Sequence, residues 1–597
     1  MNIEVQVYDN GDHTAIVWLP KDGAPIDGCL GFAIKRDNNG AEDYLHSFVG
    51  FTEGATFPKD PQSWWQWPLQ RYMWWDYHVK CGDTVKYQVI PVTGTPDNLQ
   101  LNVNLASDWT PEMKVSGQCT QSMEAYFNKG IVAAQWVSRE LDQEAQGKNR
   151  KTAINDIIKH PGDPLRDALA GLLKVEILKL LDDAKDGQVY AALYELNDPE
   201  LEARLTAMKG NAHVVLANGA FSSKKPDENA DARAALKKAG VDLHDRMVGS
   251  GHFAHNKFAV ICDANGKAQK VLTGSTNWSV TGLCTQANNG LIINDASVAD
   301  CFLQQWNRLK EAGNGFPADL KSANSEIKQF TVDGVKVTPW FAPTTNGQDL
   351  DYARKLIANA KTGILFLFFN PGTYTEDPTK ETLLQDVLAR QKDNLYIRGV
   401  VNQQIKNLVT LVGDPTQTGK PVPHAAMVPA NIKKAFHNWE DELLGASMVM
   451  VHSKCIVLDP FGDYPVLMTG SHNLGFKASH ANDDNLVILE GPEAAPLAVA
   501  YAVNIIAIYQ NYRWNSYVTQ HSQDPNAWHG LQGDDKWQAG HLTGSGLDEI
   551  KFWTTGPAGA AAHSAAASAS EGTPHTAAHK TPRKQTVKTT STRQRKS

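Results

Sequence analysis

Apolar and polar residues alternate over short runs in the first part of the chain, as in IEVQVY, TAIVWLP and VKYQVIPV. Gly, Asp and Pro residues separate these runs and supply turns. Alternation with a period of two places apolar side chains on one face of a strand, and many short strands of this kind are typical of an antiparallel sandwich. The pattern therefore predicts a β-sandwich-like N-terminal domain over residues 1–115.

From about residue 120 the pattern changes to continuous apolar runs, such as VYAALYEL and GILFLFF, which alternate with helical stretches. Continuous apolar strands that alternate with helices favour largely parallel sheets covered by helices. The strand–helix order occurs twice, which indicates an internal repeat. The sequence predicts an α/β fold with two similar halves, residues 120–325 and 326–555.

The last part of the chain, residues 556–597, contains few bulky apolar residues. Nothing there can offset the entropy lost on ordering, so a disordered tail is predicted. No acidic residue follows Glu571, and the basic residues of the tail's last part are Lys580, Arg583, Lys584, Lys588, Arg593, Arg595 and Lys596. Most tails of this kind are only solvated, but a nucleic acid or an anionic lipid is a candidate partner.

Composition adds three constraints on location and partners. The net charge of -8 over 597 residues gives the whole chain no attraction to nucleic acid or membranes. Seven scattered cysteines without a CxxC pair indicate neither a zinc site nor a disulfide framework. The N-terminus lacks a secretory signal pattern, and the apolar stretch Ala495–Tyr509 is shorter than the ~20 residues that cross a bilayer. We expect a buried helix there and a cytoplasmic protein, with export without a signal left open.

Five tryptophans lie close together within the N-terminal domain: Trp64, Trp65, Trp67, Trp74 and Trp75. Large aromatic side chains dominate cores and interfaces, so a sandwich core with an inter-domain contact is the favoured interpretation. A membrane-interface or sugar-binding platform is the alternative.

Two segments repeat the same residue types at nearly the same spacing. The first is HNKFAVICDANGKAQKVLTGSTNWS, with His255, Lys257, Asp263, Ser275 and Asn277. The second is HSKCIVLDPFGDYPVLMTGSHNLG, with His452, Lys454, Asp459, Ser471 and Asn473. One HxK pattern is expected by chance, whereas two that are each followed by GSxN at matching distance are not.

These residue types suit the cleavage of a phosphodiester. In HxK on a strand, the His and Lys side chains share a face and point into one cleft. Histidines can act as nucleophile and as general acid or base, lysines stabilise phosphoryl charge, and Asn and Ser donate hydrogen bonds. This array takes the place that a divalent cation fills elsewhere, and no metal-ligand spacing stands out. We expect metal-independent catalysis with no cofactor.

The paired motif resembles that of the phospholipase D superfamily, HxKxxxxD followed by GSxN, over residues 120–555. The resemblance implies two α/β halves related by a pseudo-twofold axis, with both motifs in one cleft. The second motif matches fully, while in the first Cys262 holds the Asp position and Asp263 comes one residue late. Either a bulge restores Asp263 or its role, generally structural in the family, is lost.

The resemblance also implies roles for the site residues. The histidine of the N-terminal half is usually the nucleophile, so His255 is assigned attack and His452 acid/base work. Asp484 lies where the family often carries an acidic residue, and the equivalent position in the first half is Asn288. The preferred function is hydrolysis of a phospholipid headgroup through a phosphohistidine, with a phospholipid or membrane surface as partner. A nuclease and a non-catalytic phosphate-binding protein are the alternatives.

Overall fold

A computed structural model describes residues 3–47, 49–51, 62–130, 150–222, 224–373, 375–377, 380–402, 450–520 and 530–556. Of the predicted tail only residue 556 is included, so its predicted disorder and its basic residues lie outside the described residues.

Two antiparallel sheets form from the first 115 residues. Their strands are β1 (Ile3–Asp9), β2 (Thr14–Pro20), β3 (Gly31–Asn38), β4 (Ala41–Tyr44), β5 (Met73–Asp76), β6 (Thr84–Thr95), β7 (Asn98–Leu101) and β8 (Met113–Lys114). One sheet has the order β1-β2-β5, and the other has β4-β3-β6-β7 with β8 paired to β6. Trp18 of β2 and Phe32 of β3 are fully buried with ring centroids 5.4 Å apart, so both sheets contribute to one core. Their description as a separate sandwich domain stays a prediction.

A seven-stranded sheet carries the first motif. This part of the chain contains strands β9 (Met123–Phe127), β10 (Gln188–Leu193), β11 (Ala212–Ala217), β12 (Asp242–Arg246), β13 (Lys257–Cys262), β14 (Ala268–Gly274), β15 (Gln286–Ala287) and β16 (Asn289–Ile293). Its helices are α1 (Arg150–Ile157), α2 (Pro164–Asp183), α3 (Pro199–Met208), α4 (Ala230–Ala239), α5 (Val280–Cys284) and α6 (Ala296–Ala312). The sheet order is β12-β11-β10-β13-β14-β16-β9. Aspartate side chains cap the starts of α2, α3 and α6 by accepting from backbone N–H groups of the first turn.

A second seven-stranded sheet carries the second motif. Its part of the chain contains strands β17 (Phe330–Val332), β18 (Val335–Ala342), β19 (Gly363–Phe368), β20 (Tyr396–Val401), β21 (Met450–Val451), β22 (Cys455–Leu458), β23 (Val466–Gly470) and β24 (Asp484–Glu490). The helices are α7 (Ala318–Asn324), α8 (Gln348–Ala358), α9 (Leu383–Ala389), α10 (Phe476–Ala481), α11 (Ala495–Gln520) and α12 (Gly544–Thr554). The sheet order is β20-β19-β22-β23-β24-β18-β17.

Six strands follow the same order in both sheets. The series β11-β10-β13-β14-β16-β9 corresponds to β20-β19-β22-β23-β24-β18, with a parallel first pair and antiparallel pairs after it. The mixed α/β character is confirmed, but the expectation of largely parallel sheets is wrong. The strand after each HxK motif reaches its neighbour through a short turn, and only antiparallel neighbours can be joined so closely.

The apolar run at Ala495–Tyr509 lies within α11, and its prediction as a buried helix is confirmed. Pro492–Tyr512 is long and apolar enough to cross a membrane by length and composition, but 78% of its most apolar window is buried inside the protein. Ala498, Tyr501 and Ile505 are fully buried. This helix is therefore packed as a core element.

The segment after α11 packs onto the N-terminal sheets. Trp537 stacks on Tyr72 with ring centroids 5.5 Å apart. The Tyr8 hydroxyl donates a 2.6 Å hydrogen bond to the carbonyl oxygen of Trp553, in α12. The two ends of the described chain therefore share a core, while the predicted domain boundaries stay predictions.

The five clustered tryptophans divide between core and surface. Trp74 and Trp75 are partly buried against the main core, and Trp64 packs against a smaller apolar cluster that includes Ile90. Trp65 is 57% exposed. The core interpretation thus fits Trp74 and Trp75, whereas Trp65 lies at the surface.

The shared core of the two chain ends can be tested with Trp553→Ala. Trp553 is fully buried and its ring contacts Tyr8 and Phe461. We expect the free energy of unfolding to fall by about 3–5 kcal/mol, because a large cavity is left. Chemical denaturation followed by tryptophan fluorescence measures it. Lys551→Ala, at an exposed position of the same helix, should change it by less than about 0.5 kcal/mol; an equal effect of both variants would contradict the shared core.

Candidate active site

Backbone hydrogen bonds between the two motif regions bring the two HxK motifs together. The N–H of His255 donates to the carbonyl oxygen of Asp483 at 2.8 Å, and the N–H of His452 donates to that of Ala287 at 3.0 Å. In addition, β15 pairs with β21 in parallel. Each histidine is thus held just before its own central strand by a residue from the other motif region.

The two imidazole rings share one pocket. Their centroids lie 6.5 Å apart and the ring planes are inclined by 71°. Reacting atoms that lie about 3–3.5 Å from phosphorus on opposite sides would span about 6–7 Å. The distance between the ring centroids is of this order, and the two motif histidines lie together as the paired motif predicts.

A residue from the opposite sheet region orients each ring. His255 Nδ1 lies 2.8 Å from Asp484 Oδ1, and His452 Nδ1 lies 2.9 Å from Asn288 Oδ1. Carboxylate and amide oxygens only accept, so both rings carry the proton on Nδ1 and leave a lone pair on Nε2. The serines support this arrangement, since Ser275 Oγ donates to Asn288 Oδ1 at 2.8 Å and Ser471 Oγ to Asp484 Oδ1 at 2.9 Å.

Each lysine lies between its own strand and an aromatic ring. Lys257 Nζ donates to the carbonyl oxygen of His255 at 2.7 Å, and Lys454 Nζ donates to that of His452 at 2.5 Å. Both ammonium groups lie 4.8 Å from a ring centroid, that of Tyr194 for Lys257 and of Phe369 for Lys454. These contacts fix each ammonium group on the same side of the pocket as its histidine.

Tyr194 and Phe369 also contact the imidazoles and were missed in the sequence. Tyr194 packs edge-on against His255 at 4.7 Å, and Phe369 packs edge-on against His452 at 4.6 Å. Each directly follows a matching strand, β10 or β19. That shared position in the repeat was the available signal.

Burial determines the protonation of the two histidines. It lowers the pKa of His255 to about 4, with a further lowering by Lys257 and an opposing effect of Asp484. Burial and then Lys454 hold the pKa of His452 well below its ordinary value. Both rings are therefore uncharged near neutral pH, and the Nε2 lone pair needed for attack on phosphorus is present.

A family comparison matches the same part of the chain. The family model described as "Cardiolipin synthase, PLD-like domain" matches residues 177–310 and 354–503, which include both motifs. The chain belongs to the phospholipase D superfamily.

Curated relatives match only a short part of this phospholipase D-like chain. Mitochondrial cardiolipin hydrolase of Danio rerio is 30% identical over 95 residues, which cover 16% of this chain and 39% of that protein. The Mus musculus protein of the same name is 30% identical over 84 residues, covering 14% and 34%. The chain thus spans about two fifths or less of the length of these relatives.

Solved structures are similar to this chain at low sequence identity. Phosphatidylserine synthase of Haemophilus influenzae Rd KW20 is 13% identical with a TM-score of 0.38, over 58% of this chain and 85% of that one. The phospholipase D family member Nuc of Salmonella typhimurium is 21% identical with a TM-score of 0.20, over 24% and 91%.

The two asparagines of the phospholipase D motifs have buried, unsatisfied oxygens. Asn277 Oδ1 and Asn473 Oδ1 have no hydrogen-bond partner among the described residues. The Nδ2 of Asn277 donates to Glu195 Oε2 at 2.8 Å. Glu195 belongs to no motif, and nothing in the sequence distinguished it.

The two motif aspartates serve the backbone. Asp459 accepts hydrogen bonds from the N–H groups of Lys361, Thr362 and Gly363 at 2.7–3.0 Å, which ties the start of β19 to the end of β22. A register shift between Ile261 and Cys262 provides the bulge that was one of the two alternatives for the first motif.

Asp263 nevertheless differs from Asp459 in what it binds. Its carboxylate accepts from the N–H groups of Asn265 and Lys267, within its own turn. The bulge therefore does not give Asp263 the strand-linking contact of Asp459.

Within the described ranges, no three side chains of His, Cys, Asp or Glu are grouped so that they could hold a metal ion.

The neutral state of the histidines can be tested by NMR of selectively labelled imidazoles, with His255→Gln and His452→Gln to assign the signals. We expect His255 to titrate with a midpoint of about 4, and the denatured chain near ~6.5. Because the unfolded chain then binds more protons, the free energy of unfolding should decrease as the pH falls below ~6.5. A midpoint near the ordinary value in the folded protein would contradict the burial argument.

Proposed function

We propose that the chain is a metal-independent phosphodiesterase that hydrolyses a glycerophospholipid through a covalent phosphohistidine. The carrying observation is the pair of buried imidazoles with ring centroids 6.5 Å apart, each with Nδ1 within hydrogen-bond distance of a side-chain oxygen from the opposite sheet region. The repeated strand order supports two halves related by a pseudo-twofold axis, with this pocket between them.

The difference between the two orienting residues supports His255 as the nucleophile. When Nε2 of a ring that carries a proton on Nδ1 bonds to phosphorus, the imidazole becomes cationic. The Asp484 carboxylate stabilises that charge by a charge-assisted hydrogen bond. His452 faces the neutral amide of Asn288 instead, so its protonated form gives up its proton more readily.

In the first step, His255 Nε2 forms a bond to phosphorus while the bond to the leaving oxygen breaks. The Nε2 proton of His452 passes to that oxygen. His452 acquires this proton when the bound phosphodiester raises its pKa through its negative charge. In the second step, His452 takes a proton from water, the hydroxide oxygen bonds to phosphorus, and the bond to His255 breaks.

Positive charge and hydrogen bonds stabilise the phosphoryl oxygens in both steps. Lys257 and Lys454 supply two compact cations, and Asn277 and Asn473 supply amide groups beside them. Ser275 and Ser471 act through Asn288 and Asp484 and are assigned a supporting role.

A glycerophospholipid is the proposed substrate class. The family description names a cardiolipin synthase, and the curated relatives are named cardiolipin hydrolases. These names support a lipid phosphodiester and do not select the headgroup. A cytoplasmic location with access to a membrane surface is part of the same proposal.

The assignment of the two histidines can be tested with bis-(p-nitrophenyl) phosphate. Each of His255→Ala and His452→Ala should lower turnover by at least ~100-fold. The p-nitrophenolate leaving group needs little protonation, so His452→Ala should still release one equivalent in a burst, while His255→Ala should show none. Quenched-flow absorbance and mass spectrometry of the phosphohistidine measure this.

The exposed His160, changed to Ala, serves as the matched control and should keep full turnover. A burst from His255→Ala alone would reverse the assignment. Full turnover by either active-site variant would contradict the two-histidine mechanism, and loss of activity in EDTA would contradict metal independence.

The substrate class can be tested with liposomes and plasmid DNA. We expect the wild-type protein to hydrolyse liposomes that contain phosphatidylcholine and cardiolipin, and to leave plasmid DNA intact. Released headgroups are measured by mass spectrometry, and His255→Ala controls for a contaminating lipase. DNA cleavage without lipid hydrolysis would establish the nuclease alternative, and binding without either reaction would establish the non-catalytic one.

A further inference from the structure

A carboxyl group is hydrogen-bonded to Asn277, one of the residues proposed to bind the phosphoryl group. Glu195 Oε2 accepts from Asn277 Nδ2 at 2.8 Å and from Ser279 Oγ at 3.4 Å. Glu195 lies two residues after β10, and the equivalent residue after β19 is Asn370. The carboxyl group is therefore a feature of the His255 side alone, and the proposed mechanism does not use it.

The charged groups at the pocket leave no surplus positive charge to balance an anion. Even if Lys257 and Lys454 both carry a charge, the carboxyl groups of Asp484 and Glu195 match their two positive charges. Glu228 adds a third carboxyl group close enough to Glu195 to interact with it. A bound phosphodiester would bring one more negative charge into a buried site, where uncompensated charge is costly. The proton that His452 gains in the proposed mechanism offsets one of the excess negative charges, and a proton on one of these carboxyl groups would offset another.

Glu195 is the carboxyl group best suited to accept the proton. Burial and then Glu228 raise its pKa to about 6, against the lowering effect of Lys257 and of its two hydrogen-bond donors. Burial also acts to raise the pKa of Asp484, but its contact with His255 keeps that pKa below the ordinary value. Asp484 therefore stays ionised while Glu195 can be neutralised.

We propose that binding of a phosphodiester anion is coupled to the uptake of one proton by Glu195. The proton comes from solvent and is bonded to the carboxyl group, no bond to phosphorus changes, and the proton returns to solvent when the anion leaves. Once protonated, Glu195 can donate a hydrogen bond toward the substrate or toward Asn277 Oδ1, which has no partner among the described residues. The inference rests on the proposed phosphate site between the two histidines.

This coupling gives the affinity a defined pH dependence. The pKa of Glu195 is about 6 in the free protein and is raised further by the bound anion. The contribution of Glu195 to affinity is therefore complete below about pH 6, and above that pH this contribution falls by up to ~10-fold per pH unit until the pKa of Glu195 in the complex is reached. Lys257, with its pKa lowered to about 7 by burial, and His452 are the other groups at the pocket that can gain a proton. The test must separate them from Glu195.

Isothermal titration calorimetry with diethyl phosphate as the ligand can distinguish these groups when wild type and Glu195→Gln are compared. The single charge of diethyl phosphate is constant between about pH 5.5 and about pH 8, so every proton counted is taken up by the protein. Titrations of the full chain in two buffers of different ionisation enthalpy count the protons taken up. Near neutral pH the wild type should take up on the order of one proton more per site than Glu195→Gln. For each pH unit, the affinity of Glu195→Gln should also change by a factor about ten times smaller than the affinity of the wild type.

Two further variants sharpen the result. Glu228→Gln removes the neighbouring charge that raises the pKa of Glu195, so the fall in affinity should begin at a lower pH. Glu202→Gln, in α3, removes a carboxyl group whose pKa is raised by burial and by Asp231, and it should behave as wild type. If Glu195→Gln fails to fold, the proposal is tested by Glu228→Gln alone, through the pH at which its affinity begins to fall. A pH dependence of affinity equal to that of the wild type then overturns the proposal.

Equal proton uptake by Glu195→Gln and wild type would assign the proton to Lys257 or His452 and overturn the inference. Binding by the wild type without pH dependence would overturn it as well, while leaving the proposed function intact. If the wild type does not bind diethyl phosphate at all, the proposed phosphate site itself is wrong, and the inference falls with it.

Discussion

Reciprocal hydrogen bonding between the two motif regions is the constraint on which the pocket depends. Backbone bonds from His255 to Asp483 and from His452 to Ala287 set the distance between the two segments that carry the histidines. The next residue along the chain in each case, Asp484 or Asn288, then orients the ring from the other side. Because the linkage uses main-chain atoms and short side chains, ring positions are set by sheet geometry and not by flexible groups.

Placing two lysines and two imidazoles in a buried site has an energetic cost that serves the chemistry. Desolvation lowers the pKa of both histidines and both lysines, and carboxyl groups on the pocket wall offset part of the resulting charge. Such sites lose stability relative to an apolar packing, but they hold an imidazole lone pair ready for attack. The surrounding core, with β19 buried along its whole length, stabilises the arrangement.

Motif spacing predicted that the histidines, lysines, serines and asparagines lie together, but alternation along a strand is not the reason, because the histidines precede their strands and the serines and asparagines follow theirs. Strand direction could not be predicted, since a continuous apolar run indicates burial on both faces of a strand but does not indicate whether the adjacent strand is parallel or antiparallel. Tyr194, Phe369 and Glu195 follow strands without any motif, and only the three-dimensional register brings them to the histidines. The contact between Trp537 and Tyr72 joins positions far apart in sequence, which local patterns cannot indicate. Asp263 shows the opposite case, where the residue type is present but the local turn gives it a different partner.

A single polypeptide that carries both motifs can place different residues at equivalent positions of its repeat. Asp484 and Asn288 occupy such positions, and each reaches across to the ring of the other motif. An assembly of two identical subunits with the same crossing geometry would have two carboxylates or two amides there, so its rings would be electrostatically identical. Covalent linkage of the copies removes that restriction. Because both motifs lie in one polypeptide, its two histidines can have different neighbours and can therefore take different roles in the reaction.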